Sequence, residues 1–354
     1  MFSKRRSKPM LGLDISTSSV KVIELSQTKG GYRVDHYAAE PMPQNAISDK
    51  TIVDIDVTGD AVRAAVKRSG SRNKLAAVAI GGASVITKLI ALPAGLSGKE
   101  LEEQIELQAD QYIPFPLEEV SYDFEVQGPS ESDPDMVDVL IAATRSENVE
   151  HRQAVLEAAG LQAKIVDIES DALENACGLL THQMPDNGLD QTIAVVDFGA
   201  TTTTFSILND RKVAYTRDQA FGGRQLTEEI MRAYGLSFEE AGKAKKEGGL
   251  PGNYEAEILE PFIDDMAQQI NRSLQFYLSS GSGSSGHLDQ VIVCGGCAAI
   301  PGVDQMIQER LDVPTVIGNP FGEMKLSSRA RAQNVEKDAP ALMIACGLAL
   351  RSFD

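Results

Sequence analysis

The chain has 354 residues, enough for at least two packed domains. Its 51 acidic and 33 basic side chains leave a formal charge of -18, which argues against a general nucleic-acid binder, because phosphate backbones need a concentrated basic surface. No run approaches the roughly 20 apolar residues that span a bilayer, no apolar segment follows the basic N-terminus as in a secretory signal, and 4 cysteines make no disulfide framework in a chain this long, so a reducing cytoplasm is expected.

The first nine residues form a basic arm carrying Lys4, Arg5, Arg6 and Lys8, able to touch anionic headgroups or to stay solvated. Residues 11–25, LGLDISTSSVKVIEL, read as a hairpin. A short apolar strand ends in Asp14, a hydroxyl-rich turn holds Ser16, Thr17 and Ser18, and an alternating strand returns. A strand is expected at 32–39 and a helix at 59–69, where Ala61, Val62, Ala65 and Val66 keep helical spacing. Strands at 75–80 and 85–92 flank Gly81 and Gly82. Ser97 and Glu100 stand in capping-box register before a helix to Tyr112, with Leu101, Ile105, Gln108 and Tyr112 on one face; Pro114 and Pro116 stop it. Strands at 122–127 and 136–142, a helix opened by Ser146 and a return strand at 161–168 complete an inserted α+β module over 86–162. A small-residue helix follows at 170–180.

The opening hairpin then recurs. Residues 194–208, AVVDFGATTTTFSIL, again run from an apolar strand through Asp197 into a small turn, with Gly199, Thr201, Thr202 and Thr203. Gly222 and Gly223 begin another turn, and a charged helix is expected at 238–246. The most periodic stretch is 254–278, where Ile258, Phe262, Met266, Ile270 and Tyr277 line one face of a core helix. A small flexible loop at 279–286, a strand at 290–293 running into CGGCAAIPG, and helices at 303–311 and 339–350 close the chain.

An aspartate at a strand end can orient water or Mg2+, and the hydroxyls and free N–H groups of a tight turn can hold phosphate oxygens. Two such turns, with Gly295 and Gly296 downstream of a third strand, read as a cleft that clamps a nucleotide from both sides. Neither a Walker A sequence nor a GxGxxG fingerprint is present. Cys294 and Cys297 form a CxxC without companion histidine or cysteine spacing, which favours packing around a glycine loop over zinc or redox chemistry. Residues 112–120 set two rings beside rigid prolines, suited to a peptide-binding edge or to packing between domains.

The ordered set LGLDISTSSVKVIEL, VVDFGATTTTFSI, VIVCGGCAAIPGV and APALMIACGLAL resembles the phosphate 1, phosphate 2, adenosine and second connecting motifs of the actin-like ATPase superfamily. QADQYIPFPLEEVSYDFEV is similar to the signature of the type IV pilus assembly PilM family, whose architecture is FtsA-like. The resemblance implies an α/β, actin-like (ribonuclease H-like) duplicated nucleotide-binding fold with an inserted α+β subdomain. It divides the chain into a first actin-like subdomain at 10–85 and 163–190, the insertion at 86–162, a second core at 191–214 and 287–354, and a mostly helical nucleotide-capping subdomain at 215–286.

The same resemblance implies ATP and Mg2+ between the halves, held by Asp14, Ser16, Thr17, Ser18, Asp197, Gly199, Thr201, Thr202, Gly222, Gly223, Gly295 and Gly296, with Asp14 and Asp197 orienting the metal largely through water. On the adenosine-contacting helix Lys243 and Lys245 offer alternative registers, and Lys243 is taken. The implied partner is the N-terminal cytoplasmic tail of the membrane protein PilN, in a groove with Pro114, Phe115 and Pro116 on its wall. Pilus motor ATPases and self-association are further contacts it allows; nucleic acid is not. Membrane contact is expected to be indirect, because the chain ends at Asp354 straight after its last core helix. The reading is an ATP-binding scaffold on the cytoplasmic face of the inner membrane, compatible with slow hydrolysis. A phosphotransferase or ATPase of the same superfamily, with Asp167 and Glu169 as water-positioning candidates, and a filament-forming division adaptor are the alternatives.

Overall fold

The computed structural model describes residues 9–48, 51–130, 133–279, 287–328, 330 and 335–354, the Ala83 side chain excepted. The basic cluster at residues 4–8 and most of the loop expected at 279–286 lie outside these residues.

The alternation in the first hairpin produces β1 (Leu11–Ile15) and β2 (Ser19–Thr28), antiparallel with Asp14 opposite Lys21. A third antiparallel strand, β3 (Gly31–Pro41), continues the meander. A two-strand ribbon, β4 (Ile47–Ser48) and β5 (Thr51–Ile52), precedes α1 (Ile55–Ser69). That helix starts before the apolar spacing does, because the Asp54 side chain accepts from the Val57 N–H at 3.0 Å and caps it. The apolar strand β6 (Leu75–Ile80) adds parallel to β1, and β10 (Gln162–Ile168) parallel to β6, as strands covered on both faces do.

The second half follows the same plan. Strands β11 (Thr192–Phe198), β12 (Thr203–Asn209) and β13 (Lys212–Gln219) form an antiparallel meander. Parallel strands β14 (Gln290–Cys294) and β15 (Thr315–Ile317) extend it on the β11 side. The sheet orders are β10-β6-β1-β2-β3-β16, with β16 at Lys325–Leu326, and β13-β12-β11-β14-β15. Each sheet therefore sets a hairpin with an aspartate on its first strand beside parallel neighbours.

Two helices lie between the sheets, α4 (Glu169–Cys177) and a C-terminal helix, Met343–Leu350, that packs against both α4 and β1. Glycine makes this contact possible: a methyl on Gly347 would overlap the Ala172 carbonyl, and one on Gly12 would overlap the Ala345 carbonyl. The second sheet is covered by α5 (Gly223–Tyr234), α6 (Phe238–Glu247), a π-turn at Glu255–Leu259 that runs into α7 (Glu260–Ser279), and α8 (Val303–Leu311). The C-terminal helix is α9. As the periodicity demands, Phe262, Met266, Ile270 and Tyr277 are buried against Phe198, Phe205 and Leu226, and Phe221 stacks on Phe262 at 5.3 Å between ring centres.

A small antiparallel sheet, β7 (Ile86–Pro93), β9 (Met136–Arg145) and β8 (Val120–Pro129) in that order, stands apart with its own core. It is covered on one face by α2 (Gly98–Tyr112), which opens on the expected Ser97–Glu100 box, and the chain returns through α3 (Ser146–Ala158). The buried positions of α2 are Ile105 and Ala109, one turn apart. Tyr112 stays exposed, with Lys88 Nζ 4.9 Å from its ring centre.

Candidate functional site

Asp14 is 4% exposed, and a carboxylate so enclosed needs a cation. Lys21, directly across the hairpin, supplies it with Nζ 2.7 Å from Asp14 Oδ2. Burial works against the charge on Lys21, but Asp14, with Asp197 and Glu169 behind it, outweighs burial and raises the ammonium above its ordinary pKa. The aspartates of the two hairpins and the first residue of α4 are thereby brought around one lysine. Lys21 was absent from the sequence reading, although counting back along the hairpin from the turn sets it opposite Asp14.

In the first turn Ser16 is committed to structure, its N–H and Oγ both donating to the Ser19 carbonyl at 3.0 Å. Thr17 is half-buried and Ser18 exposed. The second turn is closed by the Gly199 N–H donating to the Thr202 carbonyl at 3.0 Å, while Thr201 and Thr202 remain half-buried. The start of α5 is sewn to it: the Gly223 N–H donates to Gly199 O at 3.0 Å and the Arg224 N–H to Ala200 O at 2.8 Å. A methyl on Gly222 would come within 2.7 Å of Gly199 O, and one on Gly223 within 2.9 Å of Cys297 Sγ, so these glycines serve close backbone approach.

Gly295 brings the third turn into the cluster. Its φ is +85°, and a methyl there would stand 2.7 Å from Asp197 Oδ1. The next residue differs: a methyl on Gly296 would meet nothing within 4 Å. Three glycine turns with no room for side chains thus pack together beside one stretch of open backbone at Gly296.

Helix α6 places the two lysines on different faces. Its Ser237–Glu240 capping box fixes the start, which puts Ala241 and Lys245, one turn apart, on the inner face. Lys245 Nζ donates to Gly223 O at 2.8 Å and to Thr227 Oγ1 at 2.7 Å. Burial, helped by Lys246, lowers its pKa against the opposing pull of Cys297. Lys243 lies on the outer face, 71% exposed and 3.8 Å from Glu247. The four thiols are free and buried; burial pushes Cys297 up to about 11 and Cys177 up to about 12. Among the described residues no group of three or more His, Cys, Asp or Glu side chains is placed to hold a metal.

The Pro-Phe-Pro segment lies on the small sheet. Pro114 and Pro116 are exposed, while Phe115 is half-buried against Ala109, Ile113, Val120 and Ala143, with the Arg145 guanidinium 4.3 Å from its ring centre. Elsewhere on that sheet Glu125 lies within electrostatic reach of Asp171 and Glu174 on α4, both raised in pKa by burial first and neighbouring acids second.

The family model for the type IV pilus assembly protein PilM matches residues 12–353. This chain belongs to the PilM family. A solved PilM-PilN type IV pilus biogenesis complex resembles it with a TM-score of 0.82 and 25% identity, covering 98% of this chain and 99% of that one. The cell division protein FtsA of Bacillus subtilis (strain 168) is 24% identical over 88% of this chain and 78% of its own length. The ethanolamine utilization protein EutJ of Carboxydothermus hydrogenoformans shares the fold at 20% identity, with a TM-score of 0.56 over 99% of this chain and 93% of that one. The PilM-family chain has the actin-like fold. Among its described residues no helix is long and apolar enough to cross a membrane.

Proposed function

We propose that the chain is an ATP-binding cytoplasmic scaffold of the type IV pilus inner-membrane complex, and that its duplicated hairpins form a nucleotide cleft. The observation that carries this reading is the gathering of Asp14, Asp197 and Glu169 around Lys21, beside the open backbone of Gly296. Bound Mg2+-ATP would supply anionic phosphate oxygens and a divalent charge between the hairpins. Asp14 and Asp197 would orient the metal's water shell. Lys21 offers its ammonium to phosphate while keeping Asp14 neutralised. Thr17, Ser18, Thr201 and Thr202 donate hydroxyls, and Lys245 holds the Gly223 turn in place. In the alternative phosphotransferase or ATPase reading, Glu169 or Asp167 would position a water.

Closure of the halves would differ in affinity for nucleotide between open and closed forms, and so shift the population that presents the partner groove. The solved relative is a PilM-PilN complex, which supports a corresponding PilN tail as the partner here, bound between the small sheet and the first half with Pro114 and Pro116 on the rim. Attachment to the inner membrane then follows from the partner. The resemblance to FtsA over most of the chain supports a division adaptor as the second reading.

Calorimetry tests the nucleotide half. The native chain should bind Mg-ATP, and Asp197→Ala should weaken it roughly tenfold or more, about 1.4 kcal/mol; native affinity in that variant contradicts the assignment. In-cell crosslinking from position 115 tests the partner half. An adduct with the tail of an inner-membrane pilus protein supports the scaffold, whereas division proteins alone move the chain to the second reading.

A further inference from the structure

On the second sheet Asp197, Thr204 and Asp218 are register partners across β11, β12 and β13. Directly opposed residues share a face, so these three side chains form one row leading from the candidate metal aspartate to the sheet edge. Thr204 Oγ1 donates to Asp218 Oδ1 at 2.7 Å and fixes the carboxylate. The other oxygen reaches the first half, where a methyl on Gly82 would stand 2.7 Å from Asp218 Oδ2.

Gly82–Ser84 is a single helical turn between β6 and β7, the point where the chain leaves the six-stranded sheet for the small one. On its other side Thr144 Oγ1 of β9 donates to the Ser84 carbonyl at 2.7 Å. This turn is therefore braced between the second half and the small sheet. The return crossing is built differently. Arg152 of α3 is 5% exposed, and its Nε donates to the Ala79 carbonyl at 2.6 Å while Nη1 donates to Asn148 O at 3.1 Å. A buried guanidinium held by carbonyls cannot part from them without leaving a charge unsatisfied. One crossing is thus anchored within the first half, and the other is held across the two halves.

We infer that Asp218 is a strut through which the spacing of the two halves sets the stance of the small sheet, with Arg152 as the fixed pivot. When the halves are together, the Asp218 carboxylate supports the Gly82 turn and, through Ser84 and Thr144, β9. When they part, that support is withdrawn and the small sheet is held only at its pivot. That nucleotide is what changes the spacing rests on the function proposed above; the strut itself rests on the contacts.

Hydrogen exchange of the full chain, read by mass spectrometry, tests it with two variants. Gly82→Ala inserts a methyl into the contact at a residue outside the left-handed region, and Asp218→Ala removes the carboxylate. Without ligand, both should speed exchange in residues 86–93 and 136–145 by roughly threefold or more, with the thermal midpoint near native, and Asp218→Asn should restore native exchange. Native exchange of the small sheet in both alanine variants overturns the strut. Where calorimetry shows that the native chain binds Mg-ATP, adding it should slow these segments in the native chain but not in Gly82→Ala; equal slowing in both overturns the coupling. Absence of calorimetric binding overturns the nucleotide reading instead, and the ligand-free comparison still decides the strut.

Discussion

The ammonium of Lys21 is the counter-charge to the buried Asp14 carboxylate inside the first hairpin. Lys21→Met should therefore destabilise the fold by about 3–5 kcal/mol, the usual consequence of stranding a buried charge. In chemical denaturation the double variant Asp14→Asn with Lys21→Met should recover most of that loss. The folded pKa of Lys21 stands above its ordinary 10.5, so its stabilisation is complete below that pH and is lost as pH climbs through the raised value. Two adjacent glycines offer a second contrast. Gly295→Ala forces a side chain into a left-handed residue against Asp197, roughly 1–2 kcal/mol for the conformation alone. Gly296→Ala meets open space and should leave stability within about 0.5 kcal/mol while weakening Mg-ATP binding in calorimetry. Asp14 and Asp197 were legible as aspartates at strand ends, and the glycines as turn residues. That Lys21 faces Asp14 and Lys245 faces Gly223 was not, because each depends on which residue points inward once a turn or cap is fixed.

At the scale of elements, α4 and the end of β10 bury carboxylates whose local donors only partly offset the cost. Burial, then neighbouring acids, raises Asp171 and Glu174 on α4, and burial raises Asp167 at the end of β10 against the Ile168 N–H and Arg351. A raised carboxylate favours the fold when protonated, so its contribution is present below the unfolded pKa and lost as pH rises through the folded one. Asp171→Asn or Glu174→Gln should raise the thermal midpoint at neutral pH by roughly 2–4 °C, a gain that shrinks on acidification. Opposite α4, Gly347→Ala would drive α9 into the Ala172 carbonyl and should cost about 1–3 kcal/mol in denaturation. Strands with clear alternation and helices with a full apolar stripe were readable from the chain. The β4–β5 ribbon was not, since two-residue strands carry no period, and the start of α1 was missed because Asp54 acts through a cap rather than through the apolar pattern.

For the whole molecule, the repeated hairpin announced two sheets of one plan, and the family motifs supplied their order. What no local pattern carries is the contact between halves: Gly82 and Asp218 meet only because β6 ends opposite the edge strand β13. If the proposed function holds, nucleotide in the cleft governs the partner groove. The direct measurement is calorimetric titration of a synthetic PilN N-terminal tail peptide into the full chain, with and without saturating Mg-ATP. The two affinities should differ by roughly fivefold or more, about 1 kcal/mol of coupling. Equal affinities under the two conditions, with ATP shown to be bound, would contradict it.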